Sequence, residues 1–421
     1  MSRRLGLWRQ ADFRNLWLGT TMTLFGGQVA AVALPLTAAL TLHASPAELG
    51  VLSAMAFVPY LLMSLHVGVW FDRRAKRRTL VVVDLCRAAV LAVVPVAAWT
   101  GRLDIGLLLA VAFGAGVCEV VADIGGLSFL PFVVARDDIA EGNSKLELSN
   151  SAATVSGGSI GGLAVQLLTA PFAMLFNVVT ALLSAACVSR IRAPESPPPV
   201  AEDAGMLRAI KEGARFVTGH PVIRALVSTT LVFNLFTYMI EPIFILFMTR
   251  QLDLHPFVIG LIFSSSGVGS LIGALIATSL ARRLGYGPVI VSAIAVAVVT
   301  AFLVPLAAVL PGPLAVADLV VMHVLDAASI IVYNVNQRTL RTTLTPAALQ
   351  GRMNASIRLV VMGVAPLGTL AGGFLGGSIG LVPTLVAAAF GLLLALIPIG
   401  TSRVPRLRAL RDLEAVPETV A

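Results

Sequence analysis

Charge is what this sequence has least of. Of its 421 residues only 12% are Asp, Glu, Lys or Arg, 57% are hydrophobic, and the mean hydropathy is +0.91. Soluble globular chains carry about 25% charged and roughly 45–50% apolar residues. This balance therefore excludes a soluble enzyme, a nucleic-acid-binding domain and a disordered chain. Cysteine is scarce too: Cys86, Cys118 and Cys187 fall in apolar runs at unrelated spacings, so neither a disulfide framework nor a zinc site is readable. There is no G-x-x-x-x-G-K-[ST] phosphate loop, which argues against ATP-driven pumping by this chain. There is also no H-E-x-x-H or other recognised catalytic motif, so the chain does not read as an enzyme and no cofactor or metal is implied. The run after Met-Ser-Arg-Arg is too long for a signal peptide and predicts an uncleaved first span.

What is present is a series of long apolar runs. A hydrocarbon core of ~30 Å takes about 20 apolar residues per helix. Breaks at charges, glycine and proline place spans near 14–41, 47–71, 79–100, 105–130, 146–169 and 172–190. Six more fall near 222–249, 256–280, 288–310, 314–337, 354–379 and 382–402. The predicted fold class is an all-α membrane protein of twelve transmembrane helices in two six-helix bundles. Residues 1–190 and 222–421 form the bundles, joined by a linker at 191–221.

The basic residues test that layout, because cytoplasmic loops are enriched in Lys and Arg. With twelve spans, 27 of the 30 basic residues fall on one side, Arg102 and Arg250 fall on the other, and Arg87 lies within a span. Both termini are expected in the cytoplasm of an integral inner-membrane protein. In the linker, Pro194, Pro197, Pro198 and Pro199 with Glu195, Glu202 and Asp203 cannot build a core. From Gly205 to Thr218, Leu207, Ile210, Ala214 and Val217 recur at helical spacing opposite Arg208, Lys211 and Arg215. That pattern predicts a short basic amphipathic helix on the membrane surface.

Gly68-Val-Trp-Phe-Asp72-Arg73-Arg74-Ala-Lys76-Arg77-Arg78 follows span two. Here the sequence resembles the major facilitator superfamily, whose loop between spans two and three has the pattern G-x-x-x-D-R-x-G-R-R; Ala75 replaces a glycine. The resemblance implies a cytoplasmic latch made by Gly68, Asp72, Arg73, Arg77 and Arg78. The place after span eight holds only an echo, Gly273 to Arg282-Arg283, with Ala277 where an acid would stand. Other stretches resemble the drug and siderophore exporter branch of that superfamily, which contains macrolide efflux proteins and enterobactin exporters. They are Phe13-Arg14-Asn-Leu-Trp17, Val32-Ala-Leu-Pro35, Leu130-Pro131, Gly142-Asn143, Glu212-Gly-Ala-Arg215-Phe216 and Gln350-Gly-Arg352-Met-Asn354. An acid the branch commonly has in span one is absent, since Gly26-Gly27 is followed by Gln28. Gly157-Gly158-Ser-Ile-Gly161-Gly162 in span five is similar to the antiporter pattern G-P-x-x-G-G. Like Gly368 and Gly372-Gly373 in span eleven, it also reads as a helix-packing seam.

Ionisable groups inside a bilayer are costly and usually functional. Glu119 and Asp123 in span four lie one turn apart; His323 and Asp326 share a face of span ten; Glu241 precedes Pro242 in span seven. These five are the proton-coupling candidates, since a carboxylate in low dielectric can bind and release a proton as access changes. A structural polar cluster is the alternative for the first pair, and an interhelical hydrogen-bond pair for the second. Asp84 and Arg87 are expected near the cytoplasmic end of span three as partners of the basic loop, and His66 as a packing residue. By analogy with the superfamily the substrate cavity lies between spans one, four, seven and ten. Phe25, Gln28, Phe113, Phe233, Asn234, Phe236, Tyr238 and Tyr333 are candidate lining groups, a set suited to an amphipathic organic molecule.

The leading expectation is a secondary transporter exporting a hydrophobic or amphipathic small molecule, such as a drug, antibiotic or siderophore-like compound, by proton antiport. An importer or lipid flippase on the same fold is the alternative. The expected partners are the small-molecule substrate, protons and membrane lipid, with no nucleic acid, and the chain is expected to act as a monomer.

Overall fold

A backbone in hydrocarbon must satisfy its own hydrogen bonds, and a helix does so within one segment. The computed structural model describes residues 6–72, 75–194 and 206–408, and among them there are helices and turns but no strand. The first six long helices are α1 (Ala11–Leu36), α2 (Pro46–Asp72), α3 (Lys76–Trp99), α4 (Ile105–Val133), α5 (Ile139–Leu168) and α6 (Ala170–Ser189). A shorter helix, α7 (Met206–Gly219), precedes α8 (Pro221–Leu246), α9 (Pro256–Leu284) and α10 (Tyr286–Thr300). After a single turn, α11 (Leu303–Leu306), come α12 (Gly312–Leu344), α13 (Ala347–Ser378), α14 (Leu381–Leu393) and the short α15 (Leu396–Gly400).

Among the described residues eleven helices are long and apolar enough to cross a membrane. The long helix outside that set is α5, whose serines, glycines, Glu141, Lys145 and Glu147 dilute its apolar content. The sequence-predicted spans match these helices to within a few residues, those at 288–310 and 382–402 only when α10 is taken with α11 and α14 with α15, except at the starts of α5 and α13 and the end of α12, which run further. Polar residues there are adequate helix formers, so the helix outlasts the apolar run. Large apolar side chains such as Leu62, Leu167, Leu275 and Phe390 are exposed along these helices, as a lipid-facing surface requires.

The chain divides into two compact units, Met1–Glu202 with Leu254–Ser264, and Asp203–Asp253 with Ser265–Ala421. In the first, α1 packs on α5 and α6, α3 on α4 and α6, and α2 on α4. Glycines set these distances: a Cβ at Gly26 would strike Thr180, and one at Gly157 would strike Gln28. The start of α9 also belongs to this unit. Gly260 lies against Gly158 and Gly162, and Ser264 Oγ accepts from Ser159 N (2.7 Å) and bonds its hydroxyl (2.8 Å). In the second unit α8 packs on α13 and α14, and α10 on α12. A Cβ at Gly372 would run into the carbonyl oxygen of Met239. The glycine runs singled out in spans five and eleven are therefore contact seams.

The family-like motif Phe13 to Trp17 is explained by packing. Phe13 is fully buried, Arg14 donates to the Trp8 carbonyl (2.8 Å), and Trp17 meets Trp8 edge-on at 4.8 Å. Helix α7 departs from its expected setting. Over residues 211–219, Gly213, Phe216 and Val217 are buried, while Ala214 is exposed. Phe216 and Val217 join Ile223, Val227, Met353 and Ile357 in one apolar cluster, Gly213 lies on the Arg352 carbonyl, and Glu212 pairs with Arg352. The second half of the helix thus docks on α8 and α13. Two motifs far apart in sequence, Glu212 to Phe216 and Gln350 to Asn354, meet here.

The two units repeat a detail of backbone. Both α1 and α8 end in a five-residue π-helical turn, Thr37–Thr41 and Phe247–Gln251. Each is followed by a leucine and then by a non-glycine residue in the left-handed region, His43 (φ 50°) and Asp253 (φ 49°).

Candidate transport site

The centre of the first unit is polar. At the middle of α3, Arg87 Nη2 donates to Asp84 Oδ1 (2.9 Å) and to Thr23 Oγ1 of α1 (3.2 Å). Ser184 of α6 donates to Asp84 Oδ2 (2.6 Å), and Thr23 donates to Ser184 (3.1 Å). Asp84 and Arg87 are 5% and 7% exposed, so this is a buried ion pair closed by hydroxyls from two other helices. This corrects the sequence expectation: the two residues pair with each other at mid-helix, not with the basic loop. Opposite charges three apart in an apolar run were the available signal. A turn further along α1, Asn177 of α6 donates to the Gly26 carbonyl (2.6 Å).

Glu119 lies at the middle of α4 and is exposed, with Asp123 one turn along the same helix. Phe25, Gln28 and Phe113 are half-buried, with the Gln28 stem against Gly157.

In the second unit, α8 and α12 meet at two levels. Tyr333 Oη hydrogen-bonds Thr230 (2.8 Å) and donates to the Leu226 carbonyl (3.2 Å), while the His323 ring stacks on Phe244 with centroids 5.4 Å apart. These pairings run in opposite directions along the two helices. Glu241 and Asp326 therefore each stand one turn from the stacked rings, toward the Tyr333 level, on facing helices. Glu241 is exposed and Asp326 half-buried; neither carboxylate makes a hydrogen bond or ion pair among the described residues. His323 Nδ1 is within 3.1 Å of the Leu319 carbonyl.

Of the expected lining groups, Asn234, Phe236 and Tyr238 are half-buried, the Phe236 ring against Gly391 and the Tyr238 stem against Gly368. Phe233 and Tyr333 are 8% and 3% exposed and sit in the apolar core of the second unit. Of the predicted latch, Arg73 and the side chains of Gly68 and Asp72 lie outside the described residues, as does that of His66. Arg78 is exposed, and Arg77 donates to the Ile191 carbonyl at the end of α6. A shallow apolar groove of about 380 Å³ at the Thr100 end of α3 contains none of the candidate residues. Among the described residues no three His, Cys, Asp or Glu side chains are grouped as a metal site requires.

A largely helical chain with many apolar spans and a sparse set of ionisable groups within them is an integral membrane protein. The chain belongs to the transmembrane secretion effector family of the major facilitator superfamily, whose profile matches residues 4–419. It is 26% identical over 414 residues to the multidrug efflux pump Tap of Mycobacterium tuberculosis (strain ATCC 25618 / H37Rv), covering 95% of this chain and 94% of the relative. The Tap pump of Mycolicibacterium fortuitum is also 26% identical, over 394 residues, with coverage of 89% and 91%. Among solved structures, a bacterial homologue of the iron transporter ferroportin superposes with a TM-score of 0.76 at 17% identity, covering 94% of this chain and 98% of that one. A bacterial homologue of the lysosomal transporter Spinster gives 0.73 at 15%, covering 96% and 98%. These structural likenesses extend to the fold.

Proposed function

We propose that this chain is a proton-driven exporter of hydrophobic or amphipathic small molecules, working by alternating access in the plasma membrane with both termini cytoplasmic. The observation that carries the reading is the placement of Glu119, Glu241 and Asp326. Glu119 and Asp326 stand near mid-helix and Glu241 in the last quarter of α8, each with a carboxylate that makes no hydrogen bond or ion pair among the described residues, in an otherwise apolar chain. An unpaired charge there is expensive, and a proton removes that cost. Such a group takes up a proton from one side and yields it when access changes. The half-buried aromatic and amide groups Phe25, Gln28, Phe113, Asn234, Phe236 and Tyr238 offer apolar contact with a few hydrogen bonds, the lining an amphipathic molecule needs. Efflux as the direction is supported by the likeness to the Tap pumps, and cytoplasmic termini by the basic residues gathered on one side of the layout. The latch of Gly68, Asp72 and the following arginines belongs to this proposal as the element that holds one access state, and the residues before Ile191 and after Pro221 as its two moving bundles.

The test is accumulation of a panel of fluorescent drugs and dyes in an efflux-deficient bacterium expressing the protein, with and without a protonophore. Export predicts lower accumulation that the protonophore abolishes. Higher accumulation than in the empty host would instead identify an importer.

A further inference from the structure

The groove at the Thr100 end of α3 holds none of the transport candidates, yet it joins an apolar channel to a cation. Its wall is one stripe of α3 running from Ala89 through Ala92, Val93 and Val96 to Thr100, with Leu107 of α4 and Arg102 completing it. Ala89 stands near mid-helix and Thr100 is the C-cap, eleven positions on. At 1.5 Å per residue the stripe is roughly 16 Å long. That is about half of a ~30 Å hydrocarbon core, the depth of one leaflet. Val93 and Val96 are exposed, and Trp99 is 81% exposed, an indole where aromatic rings gather at the membrane interface.

Beyond the helix, Gly101 turns the chain at φ 67° and Arg102 N donates to the Ala97 carbonyl (2.8 Å), which brings Arg102 back to the end of the groove. Arg102 is exposed, and its guanidinium makes no hydrogen bond or ion pair among the described residues. The acid two positions on is already engaged, since Asp104 accepts from Leu107 N (2.8 Å) as the cap of α4. Arg102 is also one of the two basic residues that the twelve-span layout sets on the side away from the basic loops, where topology does not call for an arginine.

We propose that this groove is a binding site for an anionic glycerophospholipid of the leaflet away from the basic loops. One acyl chain lies along the α3 stripe, and the Arg102 guanidinium takes the phosphate. The planar fork of arginine matches phosphate oxygens through two charge-assisted N–H···O bonds. A headgroup carrying its own ammonium brings a second cation toward Arg102, so a headgroup without one is preferred. The site is independent of the transport reading: export stands if the site fails, and the site stands if export fails.

The experiment places the full chain in lipid nanodiscs with a trace of phosphatidylglycerol or phosphatidylcholine bearing a diazirine on the acyl chain. After illumination and digestion, adducts are counted on the peptides covering residues 89–107. Phosphatidylglycerol should label this segment about fivefold more than phosphatidylcholine, and unlabelled phosphatidylglycerol should displace it where phosphatidylcholine does not. R102Q removes the charge and leaves the groove, so the two yields should become equal. A92W fills the groove and leaves the charge, so both yields should fall. Neither position is buried, and labelling around Arg282 and Arg283 should be the same in all three chains. Equal labelling by the two lipids in the native chain marks ordinary boundary lipid and overturns the site. So does a preference that survives R102Q, a yield unmoved by A92W, or an equal fall around Arg282 and Arg283.

Discussion

Thr169 and Gly380 hold the same backbone at the same place in the two halves. Each precedes the last long helix of its half, with φ 71° and ψ 159° at Thr169 and φ 94° and ψ 163° at Gly380. That region suits glycine, and a residue with a Cβ is strained there by ~1–3 kcal/mol. Thr169→Gly should stabilise the protein by about 1 kcal/mol after the entropy glycine loses on folding, and Gly380→Ala should destabilise it. Thermal unfolding of the two purified variants checks the pair; a lower midpoint for Thr169→Gly would show that the threonine is not strained.

The three unpartnered carboxylates give a second prediction. Glu119→Gln, Glu241→Gln and Asp326→Asn remove a titrating group while keeping shape. At least one should lower proton-driven efflux about tenfold or more, some 1.4 kcal/mol in barrier, and flatten its dependence on pH. If all three variants keep the native pH profile, coupling lies elsewhere.

Packing at the α8–α13 seam is tight enough to test with one methyl group. Gly372→Ala points a Cβ into the Met239 carbonyl, whereas nothing lies within 4 Å of a Cβ at Gly377. Overpacking typically costs ~1–3 kcal/mol, while alanine for glycine in an open helical position gains up to about 1 kcal/mol. Opposite shifts in unfolding temperature are expected; a neutral Gly372→Ala would mean that the seam yields.

His220 links pH to the junction of α7 and α8. Its Nδ1 accepts from Ile223 N (3.4 Å) at the start of α8, which needs a neutral ring, and burial pushes its pKa below the ordinary value. Protonation therefore favours the unfolded junction. Stability at this cap is complete above the unfolded value near 6.5 and is lost as the pH falls below it. Exchange of the Ile223 amide should quicken between pH 7.5 and 5.5, and His220→Asn, an uncharged cap, should remove that response.

The spans were legible because a bilayer leaves a strong signal, about 20 apolar residues bounded by charge. The ends of α5, α12 and α13 were less so, since helix formation continues through polar residues that hydropathy counts as loop. Arg87 shows what sequence conceals: three positions from Asp84 it reads as a pair, but its hydroxyl partners Thr23 and Ser184 come from remote helices and carry no pattern of their own. Periodicity predicts helix α7 but not its partner. The docking rests on Gly213 and on Arg352 of α13, and a glycine that permits contact looks the same in sequence as one that does nothing. Tyr333 reads as a lining group because an aromatic phenol suits a cavity as well as the core hydrogen bond it makes.

The π-helical turns closing α1 and α8 share little sequence, Thr-Ala-Ala-Leu-Thr against Phe-Met-Thr-Arg-Gln, yet end alike in a left-handed His43 and Asp253. In each turn the leucine N–H donates to a carbonyl five residues back, Leu42 to Thr37 (3.2 Å) and Leu252 to Phe247 (3.1 Å). The main chain, not a shared set of side chains, therefore carries the shape, and substitutions confined to the side chains of either turn leave its ring of hydrogen bonds intact.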